Sequence, residues 1–332
     1  MTDRPRGGDI WEQDVTKTRQ DKGAREEAVA PSAAPRRRFF IGAAALDAPP
    51  LPPGLHVVAT PIGNLGDITL RGLEVLAAAD RVACEDTRRS AVLLRHYGID
   101  ARLIPYHEHN AARQRPRILS MLAEGQSVAL ISDAGTPLVS DPGYRIVNDC
   151  IEAGFPVVPL PGASALLSGL VGAGLPSDRF WFEGFLPVKQ KARRDRLAAI
   201  AAIPGTLIFY ESPARLPACL ADMAAVFGSR RAVVARELTK LHETFERGDL
   251  PGLSRQFDGA AVKGEIVILI GPPEKEAPSE PADLEARLAA LVAAKGARTA
   301  SETLAADTGL DRKALYRRAI ALARGEKPGR AR

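Results

Sequence analysis

The sequence predicts an α/β protein with two α/β domains and a small C-terminal helical domain. Five short apolar runs alternate with segments of helical spacing, at residues 55–60, 81–84, 102–106, 126–131 and 156–160. Strand, helix and strand at a spacing of about 25 residues is typical of a parallel sheet. A second set of runs follows Gly174, at 179–184, 206–211, 231–236 and 264–270. The chain beyond residue 282 has only helical patterns.

Composition changes along the 332-residue chain predict its domain boundaries. The first 53 residues are polar and rich in Ala and Pro, with little apolar periodicity, and we expect them to be disordered. The segment 272–282 is rich in Pro and Glu, which is typical of a linker. The predicted units are therefore an extension at 1–53, α/β domains at 54–172 and 173–271, a linker at 272–282, a helical domain at 283–325 and a basic tail at 326–332.

Cap residues locate helices between the apolar runs. Asp141-Pro142 supplies an N-cap and a first helical position, and Gly154 ends that helix. In the second domain, Ser212-Pro213 begins a helix that ends at Gly228. The helix after the first run has one apolar face, formed by Leu70, Leu73, Leu76 and Ala77.

The C-terminal helices resemble a helix-turn-helix. A helix over 283–295 is stopped by Gly296, and two short helices at 299–308 and 311–323 flank a turn at Gly309-Leu310. The last helix carries Tyr316 among four cations, Arg312, Lys313, Arg317 and Arg318. A basic helix with an interleaved aromatic side chain suits RNA binding. The alternative is a helical cap that only packs against the rest of the protein.

The composition excludes several classes of protein. The chain is 45% hydrophobic and 26% charged, which is ordinary for a globular protein. It has no apolar run long enough to cross a membrane, and its first residues resemble neither a signal peptide nor a transit peptide. Cys84, Cys150 and Cys219 are widely spaced, which favours a reducing compartment over disulfides or a zinc site. We therefore expect a cytoplasmic protein that does not bind membranes.

The charge is concentrated at the C-terminal end. The net charge is +5, and residues 283–332 hold 11 basic and 6 acidic side chains. A basic appendage on a nearly neutral body fits a polyanionic partner such as nucleic acid, although a solubilising surface has the same composition.

Four loops rich in Gly, Pro and small polar residues follow predicted strands, at 60–67, 132–143, 159–165 and 209–213. Glycine lets the backbone approach a ligand closely, and a helix that starts after such a loop offers free N–H groups to an anion. Each loop alone is also typical of an ordinary strand-to-helix turn. The sequence lacks the glycine motifs of P-loop NTPases and dinucleotide-binding domains, and the Gly-x-Ser-x-Gly motif of α/β-hydrolases.

Seven segments together carry a family resemblance. They are LHVVATPIGNLGDITLRGLEVLAAADRVACEDTR at 55–88, LISDAGTPLVSDPGYRIV at 130–147, LPGASA at 160–165, EGFLP at 183–187, FYESPAR at 209–215, ARELTKLHET at 235–244 and KGEIVI at 263–268. In this order they resemble the small-subunit ribosomal RNA methyltransferase I family of the tetrapyrrole methylase superfamily. The resemblance covers roughly residues 54–325.

The resemblance implies S-adenosylmethionine as methyl donor and 2′-O-methylation of a cytidine ribose in the decoding centre of 16S rRNA. It also implies a donor cleft between two α/β domains of the tetrapyrrole methylase type, and a homodimer. The superfamily's usual first loop, Gly-x-Gly-Pro-Gly, is replaced here by Thr-Pro-Ile-Gly-Asn. The positions that match the family's donor loops are Pro61, Gly63, Asp133, Ala134, Gly135, Thr136, Val139, Ser164, Ala165, Tyr210 and Glu211.

Polar residues at three strand ends are candidate catalytic groups. A ribose hydroxyl is a weak acid, so a base or an electrostatic partner near its oxygen helps methyl transfer. The candidates are Asp86, Arg88, His109, Asn110, Glu237 and Lys240. Each can equally be a structural cap or part of an ion pair. His107 and His109 share a strand face, as metal ligands can, but no third ligand is near in the sequence, so we predict no metal.

A basic segment after the second domain's first strand is a candidate RNA contact. It places five cations within eight residues, Lys189, Lys191, Arg193, Arg194 and Arg196. Arg113, Arg115 and Arg117 extend the predicted surface. Cations that contact phosphates make binding salt-dependent, whereas a solvated helix face is the alternative interpretation.

Three hypotheses about function follow: a ribose methyltransferase acting on rRNA, a methylase acting on a small porphyrinoid precursor, and a non-catalytic RNA-binding assembly factor. The basic segments favour the first over the second because a small macrocycle needs neither. The donor loops favour the first over the third.

Overall fold

A β-hairpin opens the part of the chain that the structure describes. The computed structural model describes residues 37–140, 143–273, 281 and 283–324. Strands β1 (Arg38–Ile41) and β2 (Ala44–Asp47) pair in an antiparallel arrangement. Phe39 is only 2% exposed and packs in the core of the first α/β domain. The Phe40 amide donates to the Tyr97 carbonyl over 2.8 Å.

The prediction of disorder is therefore wrong for residues 37–53. One buried aromatic side chain and a backbone hydrogen bond hold the hairpin, and so short a signal is lost in a polar segment. The predicted disorder of residues 1–36 and the predicted basic tail at 326–332 lie outside the described residues.

The first α/β domain is built on a parallel five-stranded sheet in the order β5-β4-β6-β3-β7. Its strands are β3 (Gly54–Val58), β4 (Arg81–Cys84), β5 (Leu103–Pro105), β6 (Ser127–Ile131) and β7 (Val157–Leu160). Its helices are α1 (Leu70–Ala78), α2 (Thr87–His96), α3 (Ala111–Ala123) and α4 (Tyr144–Glu152). All five predicted strands are confirmed. Because the strands are parallel, the loops that leave their carboxyl ends share one edge of the sheet.

Two helix signals of the first domain have different outcomes. Helix α4 begins at Tyr144 with Gly143 as its cap, and the predicted cap Asp141-Pro142 lies outside the described residues. Gly154 follows the end of this helix with a positive φ of 76°, as predicted.

The second α/β domain has a mixed sheet in the order β11-β10-β12-β9-β8, in which only β8 and β9 pair in parallel. The strands are β8 (Phe180–Phe185), β9 (Thr206–Glu211), β10 (Arg231–Arg236), β11 (Thr244–Asp249) and β12 (Ile266–Ile270). Helices α5 (Ala165–Ala173), α6 (Gln190–Ile200), α7 (Leu216–Phe227) and α8 (Leu250–Phe257) pack beside it. Helix α7 starts four residues after Ser212 and ends at Gly228.

The sequence analysis did not predict strand β11. It is an edge strand that pairs only with β10, and its residues TFERGD carry little apolar signal.

Helix α5 joins the two domains. It follows the last strand of the first sheet, yet its Leu170 and Ala173 pack against Val267 and Leu269 of the second sheet. The core cluster that contains them also includes Ile62 from the first loop, so one apolar core spans both domains.

The C-terminal residues form a separate helical unit with its own core. Helix α9 (Leu284–Thr308) is interrupted at Gly296, whose φ of 79° and ψ of 161° are non-helical. Helix α10 (Arg312–Ala323) begins at Asp311, whose side chain accepts a hydrogen bond from the Ala314 amide. Both breaks agree with the predicted ones. The core consists of Leu284, Leu288, Ala300, Leu304, Leu315 and Ala319. Within the described ranges, no helix has the length and apolar character needed to span a bilayer.

The buried position of Phe39 gives a prediction. Replacing Phe39 with Ala should lower the free energy of unfolding by about 3 kcal/mol, because it leaves a cavity in the domain core. Ile41→Ala is the matched control, since Ile41 is 41% exposed on the same strand, and its effect should stay below about 1 kcal/mol. Urea denaturation measures both values, and equal small losses would show that the hairpin does not stabilise the domain.

Candidate active site

A chain of hydrogen bonds links the four predicted loops. Thr60 and Gly135 form an isolated bridge in which each amide donates to the other's carbonyl over 2.9 Å. The Thr136 hydroxyl then donates to the Ala163 carbonyl in the third loop over 3.2 Å. The Leu166 amide donates to the Tyr210 hydroxyl in the fourth loop over 3.1 Å. The loops were predicted separately, and these contacts bring them together across both domains.

The second loop has an unusual backbone conformation. Gly135 has a φ of 83°, which glycine adopts without strain. Leu138 and Ser140 also have positive φ, at 73° and 63°, although both carry a Cβ. Such conformations cost roughly 1–3 kcal/mol each and cluster at functional sites. The bridge to Thr60 is one of the contacts that hold this loop in place.

The loops enclose a cavity of about 520 Å³ between the two domains, within the size range of ligand pockets. Nine of the eleven predicted donor positions line it: Asp133, Ala134, Gly135, Thr136, Val139, Ser164, Ala165, Tyr210 and Glu211. Pro61 instead lines a neighbouring cavity of about 100 Å³. Gly63 lines neither of these two cavities.

Other residues of the wall were not predicted. Ile62 lies between the two expected positions of the first loop, and Glu85 and Arg89 come from the segment after β4. Phe185 ends β8, and residues 264–267 lie at the start of β12. The KGEIVI segment could have revealed the last group, because it belongs to the family resemblance and is glycine-containing at a strand start.

Carboxylates and apolar side chains share the cavity wall. Asp133 accepts a hydrogen bond from the Asp86 amide over 3.0 Å and lies 3.4 Å from Arg89. Glu211 is buried and forms an ion pair with Arg215 at 3.1 Å. Glu85 and Glu265 add further acidic groups to the wall. Such a cavity suits a ligand that combines positive charge with apolar and aromatic parts, since carboxylates stabilise a nearby cation.

Asp86 and Arg88 do not line this cavity. Asp86 caps α2 by accepting a hydrogen bond from the Arg88 amide over 2.8 Å. The Arg88 guanidinium and amide, which bond to this carboxylate, lower its pKa to about 2. A carboxylate with so low a pKa is a weak base, which favours the capping interpretation of Asp86. Arg88 projects from the protein with its side chain 89% exposed.

His109 and Asn110 lie in the loop between β5 and α3, outside the wall of this cavity. The Asn110 side chain accepts from the His107 amide and donates to the Pro105 carbonyl, each over 3.0 Å. It therefore holds its own loop. His109 is exposed, with its ring centroid 6.0 Å from that of His107. Across the described parts of the chain, no group of three potential metal-binding side chains is found.

Glu237 and Lys240 form an ion pair within the second domain, and the Lys240 side chain contacts the first domain. The Lys240 amine lies 2.8 Å from Glu237 and 3.2 Å from Glu265. A Cβ on Gly63 would lie 2.5 Å from the Lys240 Cγ, so the lysine side chain packs directly on the first loop. Gly63 therefore provides space for Lys240, and a larger residue at this position would displace the lysine side chain. Glu237 and Thr239 have positive φ, at 53° and 67°, so this segment is strained.

The ion pair perturbs both partners. Burial lowers the pKa of Lys240, but the hydrogen bonds to Glu237 and Glu265 outweigh it and raise the pKa overall. The hydrogen bonds from Lys240 and from the Glu265 amide lower the pKa of Glu237. Glu237 is therefore a weak base and Lys240 is protonated at neutral pH, which suits a structural ion pair better than a general base.

The basic segment at 189–196 is less available than predicted. Arg193 is only 5% exposed, and its guanidinium binds the buried Asp222 at 2.5 Å. The prediction that Arg193 contacts RNA is therefore wrong, because its charge is buried and neutralised. Arg194 binds the same carboxylate at 2.7 Å, and Arg196 binds Glu183 at 2.5 Å. Lys189 and Lys191 remain exposed, although Lys191 pairs with Asp195.

The four predicted cations of the last helix do not all lie in the same place. Arg312, Lys313 and Arg317 line a groove between α9 and α10. Arg318 instead lies 3.6 Å from Glu285 of α9, with its side chain 30% exposed. Their contacts with RNA stay a prediction, and so do the roles of the donor and catalytic candidates.

Gly63→Ala should break the ion pairs of Lys240 with Glu237 and Glu265, because the new Cβ displaces the Lys240 side chain from both carboxylates. We expect the variant to be less stable than the wild type near pH 7. Because the pKa of Glu237 is lower in the folded protein than in the unfolded chain, this group contributes stability at pH values above its unfolded pKa. The stability difference between the variant and the wild type should therefore shrink as the pH falls below about 4. The raised pKa of Lys240 makes the difference shrink again above about pH 10.

Thermal unfolding measured against pH checks this prediction. Lys240→Met should give the same pH dependence, whereas Asp258→Asn, which replaces an exposed carboxylate elsewhere in the domain, should not. A stability difference that does not vary with pH would contradict the claim that the ion pairs of Lys240 stabilise the fold.

Arg193→Ala should destabilise the protein by about 1–3 kcal/mol, because the buried Asp222 loses its closest partner and keeps only Arg194 and Gln190. Lys191→Ala, on the exposed face of the same helix, should cost less than about 1 kcal/mol. Chemical denaturation measures both. If Arg193→Ala kept full stability and lost only RNA affinity, the sequence-based prediction for this residue would be restored.

Comparisons with known proteins agree with this geometry. The family model for tetrapyrrole (corrin/porphyrin) methylases matches residues 54–254. The chain is 54% identical to ribosomal RNA small subunit methyltransferase I of Mesorhizobium japonicum, over 85% of this chain and 97% of that protein. It is 50% identical to the protein of the same name from Escherichia coli O157:H7, over 80% of this chain and 94% of that protein.

Solved structures show a similar fold at low sequence identity. Diphthine synthase is 17% identical, with a TM-score of 0.54, over 65% of this chain and 89% of that one. A conserved hypothetical protein from Aeropyrum pernix is 17% identical, with a TM-score of 0.53, over 84% of this chain and 100% of that one. The fold, the joined loops and the close relatives lead to one conclusion: the chain belongs to the tetrapyrrole methylases and, among them, to the ribosomal RNA small subunit methyltransferase I family.

Proposed function

We propose that the protein transfers a methyl group from S-adenosylmethionine to the 2′-oxygen of a cytidine in the decoding centre of 16S rRNA. The observation that carries this proposal is the near-complete match, at 54% identity, to a protein named ribosomal RNA small subunit methyltransferase I. An rRNA substrate agrees with the basic C-terminal helices. The cytidine, the 2′-oxygen and the decoding centre come from the family resemblance.

The cavity between the domains fits S-adenosylmethionine. Its volume of about 520 Å³ lies within the range for cofactor-sized ligands. Asp133 and Glu265 supply negative charge for the sulfonium and ammonium groups, and Phe185 and Tyr210 supply aromatic surface for an adenine ring. Ala134 is exposed in the cavity wall, so the donor can approach this part of the second loop. When bound, the donor supplies an activated methyl group.

The protein's own contribution is alignment. Methyl transfer is an in-line displacement, so the 2′-oxygen, the methyl carbon and the sulfur must be collinear. Holding reactants in such a geometry contributes roughly 7–11 kcal/mol to catalysis. The hydrogen-bonded loops hold the walls on the donor side of the cavity. Lys240, which packs on Gly63 of the first domain and pairs with Glu237 and Glu265, holds the start of β12, which also lines the cavity.

A cytoplasmic location is part of this proposal, because it follows from the proposed ribosomal RNA substrate. In this proposal Lys189 and Lys191, which are exposed at the start of α6, contact the RNA backbone together with the C-terminal helices. The homodimer implied by the resemblance is part of the same proposal and is checked by the mass of the protein in solution.

Labelled S-adenosylmethionine tests the proposal directly. The purified protein should transfer label to small ribosomal subunits from cells that lack this gene. Alkaline hydrolysis should then yield a labelled, alkali-resistant dinucleotide that contains cytidine, because a methylated 2′-oxygen blocks cleavage. Transfer to a porphyrinoid and not to RNA would refute the proposal and favour a small-molecule methylase.

A matched pair of variants links the reaction to the cavity. Asp133→Asn should weaken donor binding by about 10- to 100-fold, since it removes a charge that partners the donor. Asp47→Asn changes an exposed carboxylate in the hairpin and should leave binding unchanged. Calorimetry with S-adenosylhomocysteine measures both, and equal affinities would exclude Asp133 from the donor site.

A further inference from the structure

The C-terminal helical unit contains a concave basic groove of about 670 Å³. Four of its side chains share one face of α10, because their spacing repeats after four residues. The other wall comes from the second half of α9. The groove is lined by Arg298, Glu302, Arg312, Lys313, Tyr316 and Arg317. Its cations thus surround a hollow, whereas the sequence predicted only a basic helix.

An acidic side chain already occupies the space between two of these cations. The Glu302 carboxylate lies 3.4 Å from Arg298 and 3.2 Å from Arg312. Two guanidinium groups from different helices therefore converge on one anionic oxygen. Phosphate suits this arrangement because guanidinium groups bind its oxygens through paired, charge-assisted hydrogen bonds.

Tyr316 supplies an aromatic surface beside these charges. Its side chain is 41% exposed in the groove wall, whereas its neighbours Leu315 and Ala319 are buried in the core of the unit. The tyrosine ring is therefore not needed to hold α10 against α9. An exposed aromatic ring among cations is a typical platform on which an RNA base stacks.

The shape of the groove favours unpaired RNA. A helix-turn-helix that reads a duplex inserts a protruding helix into the major groove. Here the basic face of α10 lies in a concavity whose volume is comparable with small-molecule pockets. The deep and narrow major groove of an RNA duplex does not admit such a surface, whereas a splayed nucleotide does enter a hollow of this size.

We propose that this groove binds an unpaired segment of RNA, with a base stacked on Tyr316 and a neighbouring phosphate between Arg298 and Arg312. The phosphate displaces the Glu302 carboxylate from the two guanidinium groups. That this RNA is part of the rRNA substrate rests on the function proposed above. The C-terminal unit then anchors unpaired RNA, and the methyl-transfer cavity lies in the other two domains.

Fluorescence anisotropy with the full-length protein and a short unstructured RNA oligonucleotide tests the groove. Tyr316→Leu should weaken binding by at least about fivefold, and Tyr316→Phe should retain it, because stacking needs the ring and not the hydroxyl. Glu302→Gln should strengthen binding, since it removes the competing anion. Arg312→Gln should reduce the slope of log affinity against log salt by about 0.7.

Arg287→Gln is the control, since Arg287 pairs with Asp307 and does not line the groove. The RNA affinity of this variant should match that of the wild type. Tighter binding of a duplex than of the single strand, or an unchanged affinity of both Tyr316→Leu and Glu302→Gln, would overturn the proposal. Wild-type methyl transfer to ribosomal subunits, measured separately, distinguishes the two failures. If transfer occurs while the groove variants bind normally, only the groove proposal fails.

Discussion

The paired hydrogen bonds between Thr60 and Gly135 are the contact on which the cavity depends. They join loops that leave two adjacent parallel strands, and Gly135 makes this possible because it adopts a positive φ. The second loop then reaches the third through Thr136, and the third reaches the second domain through Tyr210. A ligand site between two domains needs its walls to be linked in this way, because the reactants stay aligned only if the walls do not move independently.

Burial separates the structural charge pairs of this protein from the charge pairs that a ligand can reach. Charged side chains that are buried, or that lie in the strained segment around Glu237, form close ion pairs. Examples are the pairs of Arg193 with Asp222 and of Lys240 with Glu237. Unpairing a buried charge is costly, so these groups fix the geometry and do not exchange partners with a substrate. Asp133 of the cavity wall and the cations Arg298 and Arg312 of the C-terminal groove also have partners, Arg89 and Glu302, but these pairs line accessible cavities. This division favours a donor site in the body and an RNA contact at the C-terminal end.

Much of the fold was predictable because its signals are local. Parallel strands buried on both faces give continuous apolar runs, and Gly154, Gly228, Gly296 and Gly309 mark helix ends through backbone geometry. What escaped prediction depends on tertiary contacts. Strand β11 is recognisable only beside β10, the hairpin is held by the burial of Phe39 and a backbone hydrogen bond to Tyr97, and the burial of Arg193 requires Asp222 from another helix. Similarly, Gly63 belonged to the predicted donor loop, yet only the structure places Lys240 against it.

The central claim is that the cavity between the two α/β domains holds the methyl donor. A crystal structure with S-adenosylhomocysteine tests it most directly. We expect the ligand between the second loop, at Ala134 to Thr136, and the fourth loop, at Tyr210, with its amino group near a carboxylate of the wall. A ligand bound elsewhere, with this cavity still open and its loops unchanged, would contradict the claim.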